Sequence, residues 1–373
     1  MVLGHAGFHR PASVLVTVLL SAVAGCRDDE TPPAAPAPPP APVGHVLYRA
    51  DAPTDAPPVV AGDVVYLADG HGRVHAFDLA HGRTVWRYEA NAAIEAAPAV
   101  GGGRVYVGDL GGIVHALDAA TGEWVWTHDT GAPIHATARW ADGRLLVPND
   151  DGRVVCLDGA FGRRRWTYQG GDRIYATPTL AGGAGLVCGC DSRLHAFDLA
   201  DGRPRRTIDL DGYAVADPLV VGDVVIAATL VGTVEAFRLE DGQALWTYAD
   251  IADGAEVFAS PVVADGRILV GARDGAVHAI DAATGQGAWT FATGGPIDGT
   301  AAIRDGRVYV TSGDGRLYVL DVRTGEQRWR YAVGDAIVAG PVLVDGGVLV
   351  VDATGTVVRI EEPSPTNPRE QRQ

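Results

Sequence analysis

Counted from one aspartate to the next, this sequence repeats itself every forty residues. Versions of the stretch Ala116-Leu117-Asp118-Ala119-Ala120-Thr121-Gly122-Glu123-Trp124-Val125-Trp126 recur, and the aspartate position falls at Asp78, Asp118, Asp158, Asp198, Arg238, Asp281, Asp321 and Glu361. Successive intervals are 40, 40, 40, 40, 43, 40 and 40 residues. Within one copy, Val105 to Val107, Ile113 to Leu117 and Trp124 to Thr127 are short runs rich in β-branched and aromatic residues, which favour strands. Between the last two lies Asp118-Ala119-Ala120-Thr121-Gly122. Its Asp can bond its own backbone and its Gly can take positive φ, which is hairpin-turn chemistry. A further, inner strand begins at Pro98, since proline is tolerated at a strand start. Strand-like units at a fixed period near forty specify a β-propeller.

The blade count follows from the two ends. Aligning Pro58 with Pro98 places Val46-Leu47-Tyr48 on Trp86-Arg87-Tyr88, an outermost strand with no blade of its own. At the other end, Pro341 to Val344, Val348 to Val351 and Thr356 to Ile360 supply three strands, and the chain leaves through Pro363-Ser364-Pro365 before a fourth. The expected fold is therefore all-β: an eight-bladed propeller of four-stranded antiparallel blades over residues 45–362, closed by the N-terminal strand, which leaves no exposed sheet edge at the join. Seven blades with an odd flanking segment is the alternative.

The residues outside that span read differently. Residues 1–25 carry Arg10, an apolar run from Val14 to Leu20 and small residues before a cysteine, the pattern of a targeting segment. The run is too short to span a bilayer as a helix. Val23-Ala24-Gly25-Cys26 resembles a bacterial lipobox, which implies cleavage before Cys26 and a diacylglycerol on its thiol; a secretory signal with an incidental cysteine is the other reading. Residues 26–44 include a proline and alanine tract, Thr31 to Pro42, suited to an extended tether. Residues 363–373 are polar and expected to be disordered.

Composition excludes several chemistries. The net charge is −16 and no lysine is present, so nucleic acid would be repelled unless a concentrated basic patch met it. The one dense patch, Arg163-Arg164-Arg165, falls in a repeat turn and reads as a solvated rim. Lysine-free sequence cannot hold a phosphate-binding G-x-x-x-x-G-K-[ST] loop, and none of the six serines lies in G-x-S-x-G. His75, His115, His195 and His278 share one repeat position on four blades, so they diverge and cannot meet at one metal. Asn149-Asp150-Asp151-Gly152 lacks the alternating spacing and closing Glu of a calcium loop and reads as a turn. Cys156 takes a small core position; Cys188 and Cys190 lie two apart on a strand, and a Cys156 to Cys188 bridge is open in an oxidising compartment.

What remains is the axis. Three residues before each inner-strand proline position stand Asp55, Glu95, His135, Tyr175, Val215, Phe258, Asp298 and Val338. One residue before it stand Pro57, Ala97, Thr137, Thr177, Asp217, Ser260, Thr300 and Gly340. These should line a central funnel, either as a water-filled channel or as a site for a cation or small polar ligand. The three-residue insertion in Asp250 to Glu256 extends a loop beside its mouth, where Asp250, Asp253 and Glu256 could meet a partner.

The spacing A-x-D-x-x-T-G-x-x-x-W resembles the tryptophan-docking motif of the quinoprotein dehydrogenase propellers. Ala116 to Trp126, Ala279 to Trp289 and Val319 to Trp329 match it well; Ala76 to Trp86 has His81, and Cys156 to Trp166 has Phe161, at the Thr position. The resemblance implies that Trp86, Trp126, Trp166, Trp246, Trp289 and Trp329 wedge between blades. Arg206 stands where the fourth copy expects Trp and Arg238 replaces the fifth Asp, so that side of the ring is expected to be looser. Over the whole chain, the sequence resembles the lipoprotein propellers with quinoprotein-like repeats, typified by the BamB family of the outer-membrane barrel-assembly machinery. That resemblance implies a non-catalytic, periplasm-facing scaffold, monomeric, without cofactor or metal, held to a membrane through Cys26 and docking on the barrel-forming subunit or another envelope protein. The competing class is a quinone-cofactor dehydrogenase, for which Asp55, Glu95, Asp217 and Asp298 would be the carboxylates; this sequence has no Cys-Cys dipeptide of the kind such enzymes place beside the cofactor. A ligand-sensing envelope adaptor is a third.

Overall fold

The structure is a computed structural model that describes residues 41–252 and 255–362. Cys26, the targeting segment, most of the tether, Asp253 and the tail from Pro363 lie outside the described residues. Eight four-stranded antiparallel sheets follow one another around a ring, and seven are built from consecutive strands. In the second blade these are Ala99–Gly101, Arg104–Gly108, Ile113–Asp118 and Trp124–Asp129, from the axis outward. The eighth is composite: Val342–Val344, Gly347–Val351 and Thr356–Glu361 are completed by Val43–Arg49, which pairs Val43 with Glu361 and Arg49 with Thr356. The closing strand thus starts two residues earlier than the expected boundary at 45.

The two middle strands of each blade are buried almost throughout, as in Val105, Tyr106 and Val107. Alternate side chains of a middle strand point to opposite faces of its sheet, and both faces are covered by neighbouring blades. The core therefore lies between blades: Tyr106, Ala116 and Trp126 pack with Ile134, Leu145 and Val155 of the next. One face of the ring carries the blade-to-blade loops and the turns between middle strands, tied together by bonds such as Gly70 N to Pro53 O at 2.9 Å. The opposite face, called the turn face below, carries the Asp-to-Gly hairpins.

Those hairpins explain the repeat. Asp118 Oδ1 accepts from the Ala120 and Thr121 amides, both at 3.0 Å. Gly122 has φ of +72°, and a Cβ there would sit 2.5 Å from the Trp86 indole. Glycine is needed both for the turn and for the indole of the preceding blade to lie flat on it. Trp86 Nε1 then donates to Ala119 O, Trp126 to Gly159 O, Trp246 to Ala282 O and Trp289 to Val322 O, at 3.0 to 3.1 Å.

The other seams use different donors. Arg206, in the expected tryptophan slot, donates to Asp241 O at 2.6 Å and Glu240 O at 2.9 Å, so the expectation of a loose seam is corrected: a guanidinium bonds where an indole would. Asp241 supplies the turn carboxylate that Arg238 lacks, accepting from Gln243 N and Arg238 Nη1. Between blades eight and one, Arg359 Nη1 reaches Leu79 O at 3.1 Å. Between seven and eight, the Glu362 carboxylate accepts from Arg304, from Arg307 at 2.7 Å and from the Tyr309 hydroxyl at 2.7 Å. The indole nitrogens of Trp166 and Trp329 have no partner among the described residues; the Leu199 carbonyl one repeat on from Gly159 is taken by Arg144 at 2.6 Å.

Candidate functional site

The four repeat histidines do not converge. Each is buried between two blades, with Nε2 on an Asp of its own blade and Nδ1 on a Tyr hydroxyl of the preceding one. His75 lies 2.8 Å from Asp69 and 3.1 Å from Tyr48, and His115, His195 and His278 repeat this with Asp109 and Tyr88, Asp191 and Tyr168, and Asp274 and Tyr248. A carboxylate only accepts, so Nε2 carries the proton and Nδ1 accepts from the phenol. Burial raises the Tyr168 phenol to about 12, which keeps it a donor. These relays are inter-blade rivets rather than a site.

The cavity at the axis is the site. It encloses about 740 Å³, and all eight residues of both rings read from the sequence line it. The lower ring is a belt: Ala97 N donates to Thr137 Oγ1, Thr177 N to Asp217 Oδ1, Asp217 N to Ser260 Oγ and Ser260 N to Thr300 Oγ1, each reaching the next blade at 2.6 to 3.2 Å. Where Gly340 stands, a Cβ would lie 2.3 Å from Thr300 O, so at this ring blades seven and eight meet backbone to backbone. Asp217 is held between blades, and burial pushes its carboxyl up to about 6.

The upper ring divides into two arcs. On blades one to three, Asp55 and Glu95 face the cavity; His135 Nδ1 lies 2.7 Å from Glu95 and its Nε2 3.4 Å from Asp150. Tyr175 meets the His135 ring edge-on at 5.2 Å. On blades five and six the wall is Val215, Leu230 and Phe258, and above it Tyr213 and Val231 stand 56 % and 54 % exposed. The mouth thus pairs an acidic side with an apolar side.

Arg273, which the sequence reading passed over, joins the funnel to the insertion. Its guanidinium sits 4.0 Å from the Phe258 ring centre, bonds Asp298 through Nε at 2.8 Å and Nη2 at 3.2 Å, and reaches Glu256 at 3.0 Å. Ile251 and Val257 are buried beneath the same loop. Asp250 is exposed and has no ion pair among the described residues. Two groups that the sequence suggested separately, Glu256 of the insertion and Asp298 of the ring, therefore share one cation. Arg273 occupies the turn position held by Gly70, Leu110, Asp150, Cys190 and Leu230 in other blades, and that substitution was its only mark in the sequence.

Among the described residues Cys156, Cys188 and Cys190 are free, so no Cys156 to Cys188 bridge forms. Cys188 is buried opposite Leu194, whereas Cys190 falls one residue beyond the end of its strand, at Gly189, and lines the funnel.

The sequence matches the family model described as outer membrane protein assembly factor BamB over residues 40–169, 178–289 and 273–364. This chain belongs to that family. The matched segments run through all eight blades. No curated protein sequence matches the chain. Among solved structures it is similar to BamB from Moraxella catarrhalis, with 21 % identity, TM-score 0.73, and coverage of 86 % of this chain and 98 % of that one. It is similar also to the computationally designed Ika8 protein, at 16 % identity and TM-score 0.74, covering 85 % and 99 %. A quinohemoprotein alcohol dehydrogenase from Comamonas testosteroni aligns at 16 % identity and TM-score 0.73, covering 85 % of this chain and 76 % of that one. At these identities the likeness is one of fold.

The dehydrogenase likeness raises a metal-held quinone, and the donor set does not fit one. Asp298 is engaged by Arg273, Glu95 by His135 and Asp217 by the Thr177 amide. Among the described residues no three His, Cys, Asp or Glu side chains gather within reach of one ion.

Proposed function

We propose that the protein is a membrane-anchored docking scaffold of the cell envelope, acting through the face that carries the funnel mouth, and that it serves outer-membrane protein assembly. Its family membership supports the assembly role. The observation that carries the docking role is the Arg273 junction: the one insertion among otherwise minimal blades is pinned by Glu256 to the funnel wall, next to the exposed Tyr213 and Val231. The end of the loop that Glu256 holds is pre-organised for a partner and loses little freedom on binding.

In this reading residues 1–25 are removed, Cys26 carries the lipid, residues 26–44 are the tether, and the propeller faces the periplasm as a monomer. Asp250, Asp253 and Glu256 contribute to the partner surface, with Asp55, Glu95, His135, Tyr175, Asp217 and Asp298 below it. The test is affinity purification of the tagged protein from gently solubilised membranes, with co-purifying proteins identified by mass spectrometry. An outer-membrane barrel subunit should be recovered with the native chain and lost with a shortened Asp250–Glu256 loop. Recovery of an unrelated complex, or of the same partner with the shortened loop, would contradict the reading.

A further inference from the structure

On the turn face, large apolar side chains stand in solvent along four consecutive blades. Val43 opens the closing strand of blade eight, Val85 is the second residue of Thr84–Glu89 on blade one, Trp124 opens Trp124–Asp129 on blade two, and Phe161 lies in the hairpin of blade three. Trp124 is 59 % and Phe161 69 % exposed. Packing does not require either: the docking indole of blade two is Trp126, and a Thr serves at the Phe161 position in blades two, six and seven.

Unpaired basic side chains gather at the blade-three end of the same edge. In a chain of net charge −16, Phe161 is followed by Arg163 and Arg164, which form no ion pair among the described residues; the Arg163 guanidinium lies 5.7 Å from the Phe161 ring. Asp118 and Asp158 are turned onto backbone amides, Asp158 also holding Arg165, while Glu123 stands exposed beside Trp124. The chain also enters the ring here, since Val43 pairs with Glu361 at the hairpin end of its sheet.

We propose that this edge rests on an anionic lipid bilayer, with Trp124 and Phe161 at headgroup depth and Arg163 and Arg164 on lipid phosphates. Amphipathic aromatic rings and arginines are the residues that settle in that layer, and each basic side chain near an anionic surface adds attraction. A second copy of the chain is a poorer occupant, because a two-fold contact would set this edge, arginines included, against itself. The proposal goes beyond the scaffold reading and does not need the lipid on Cys26; contact at the edge would leave the funnel mouth on the far side, open to partners.

The test uses the full chain carrying Cys26→Ser, so that no acyl chain contributes, with phosphatidylcholine vesicles with or without phosphatidylglycerol. Co-sedimentation should require phosphatidylglycerol and weaken with salt. It should fall about tenfold in Trp124→Ser with Phe161→Ser and severalfold in Arg163→Ser with Arg164→Ser, while Trp124→Tyr with Phe161→Tyr retains it. Brominated acyl chains should quench part of the tryptophan emission, and that part should vanish in Trp124→Ser. Equal binding by the serine variants, quenching that survives loss of Trp124, or a change of oligomeric state in its place would overturn the proposal. Because Cys26 is already replaced, none of these outcomes depends on whether the native chain is lipidated.

Discussion

Arg206 shows how one side chain can replace another of different chemistry. The indole at this slot contributes one neutral bond and a flat apolar face; the guanidinium contributes two charge-assisted bonds, to Glu240 O and Asp241 O. Arg206→Ala should cost about 1 kcal/mol, since the group is exposed and solvent competes for its bonds, and Arg206→Trp should recover most of it; urea unfolding measures both. Two carboxyls set a pH dependence. Burial raises Asp217 to about 6 and, with the neighbouring Asp211, raises Glu235, which is buried at the repeat position that carries histidine in four blades. A carboxyl with a raised native pKa binds more protons folded than unfolded, so its contribution is intact below about pH 4 and stability declines as pH rises through the native value. Asp217→Asn and Glu235→Gln should therefore be near neutral at acid pH and stabilise by roughly 1–3 kcal/mol at pH 8, read from urea midpoints at both pH values. A loss that grows with pH would contradict the burial of these groups.

Among the elements, the strands and their closure were legible and the seams only in part. Hydrophobic alternation and turn chemistry mark strands locally, and the unmatched strand at Val46 to Tyr48 against three C-terminal strands forced the composite eighth blade. Of the six motif tryptophans, Trp86, Trp126, Trp246 and Trp289 bond backbone carbonyls of the next blade, which leave no trace in side-chain identity, while the indole nitrogens of Trp166 and Trp329 bond nothing among the described residues. Arg359 on Leu79 O was hidden because its acceptor too is a backbone carbonyl, and Glu362 beneath Arg304 because it stands past the last repeat position, where the period gives no counterpart. The histidine relays were half legible: the histidine position recurs, and its tyrosine stands 27 residues upstream for His75, His115 and His195, an offset visible in the sequence once both are sought. The ring's join supports a further prediction. Glu362→Ala leaves Arg304, Arg307 and Tyr309 facing an empty acceptor and should cost about 2–3 kcal/mol, as removal of one partner from a partly buried pair does. Removing the strand Val43–Arg49 should be worse, because it bares the edge of Thr356–Glu361; loss of the cooperative thermal transition and concentration-dependent association are expected.

For the whole molecule, the forty-residue period makes both rings of the funnel legible in the sequence, because each innermost strand delivers the same repeat position to the axis. The period could not show which ring members bond one another. Arg273, from a turn rather than an inner strand, reorganises the mouth by engaging Asp298 and Glu256 together. Arg273→Ala should free the insertion from the funnel wall: faster amide exchange at the described residues 255–258 is expected, with little change in the far blades, and weaker capture of the partner. In the proposed function the funnel-mouth face, not the turn face, meets the protein partner. Photo-crosslinking in intact cells from a reactive residue placed at Tyr213 or Val231, with Gln243 on the turn face as the control, decides which face binds. A discrete crosslink to an outer-membrane assembly protein is expected from Tyr213 and Val231, reduced by Arg273→Ala and absent from Gln243. A crosslink to the same protein from Gln243 alone would contradict it.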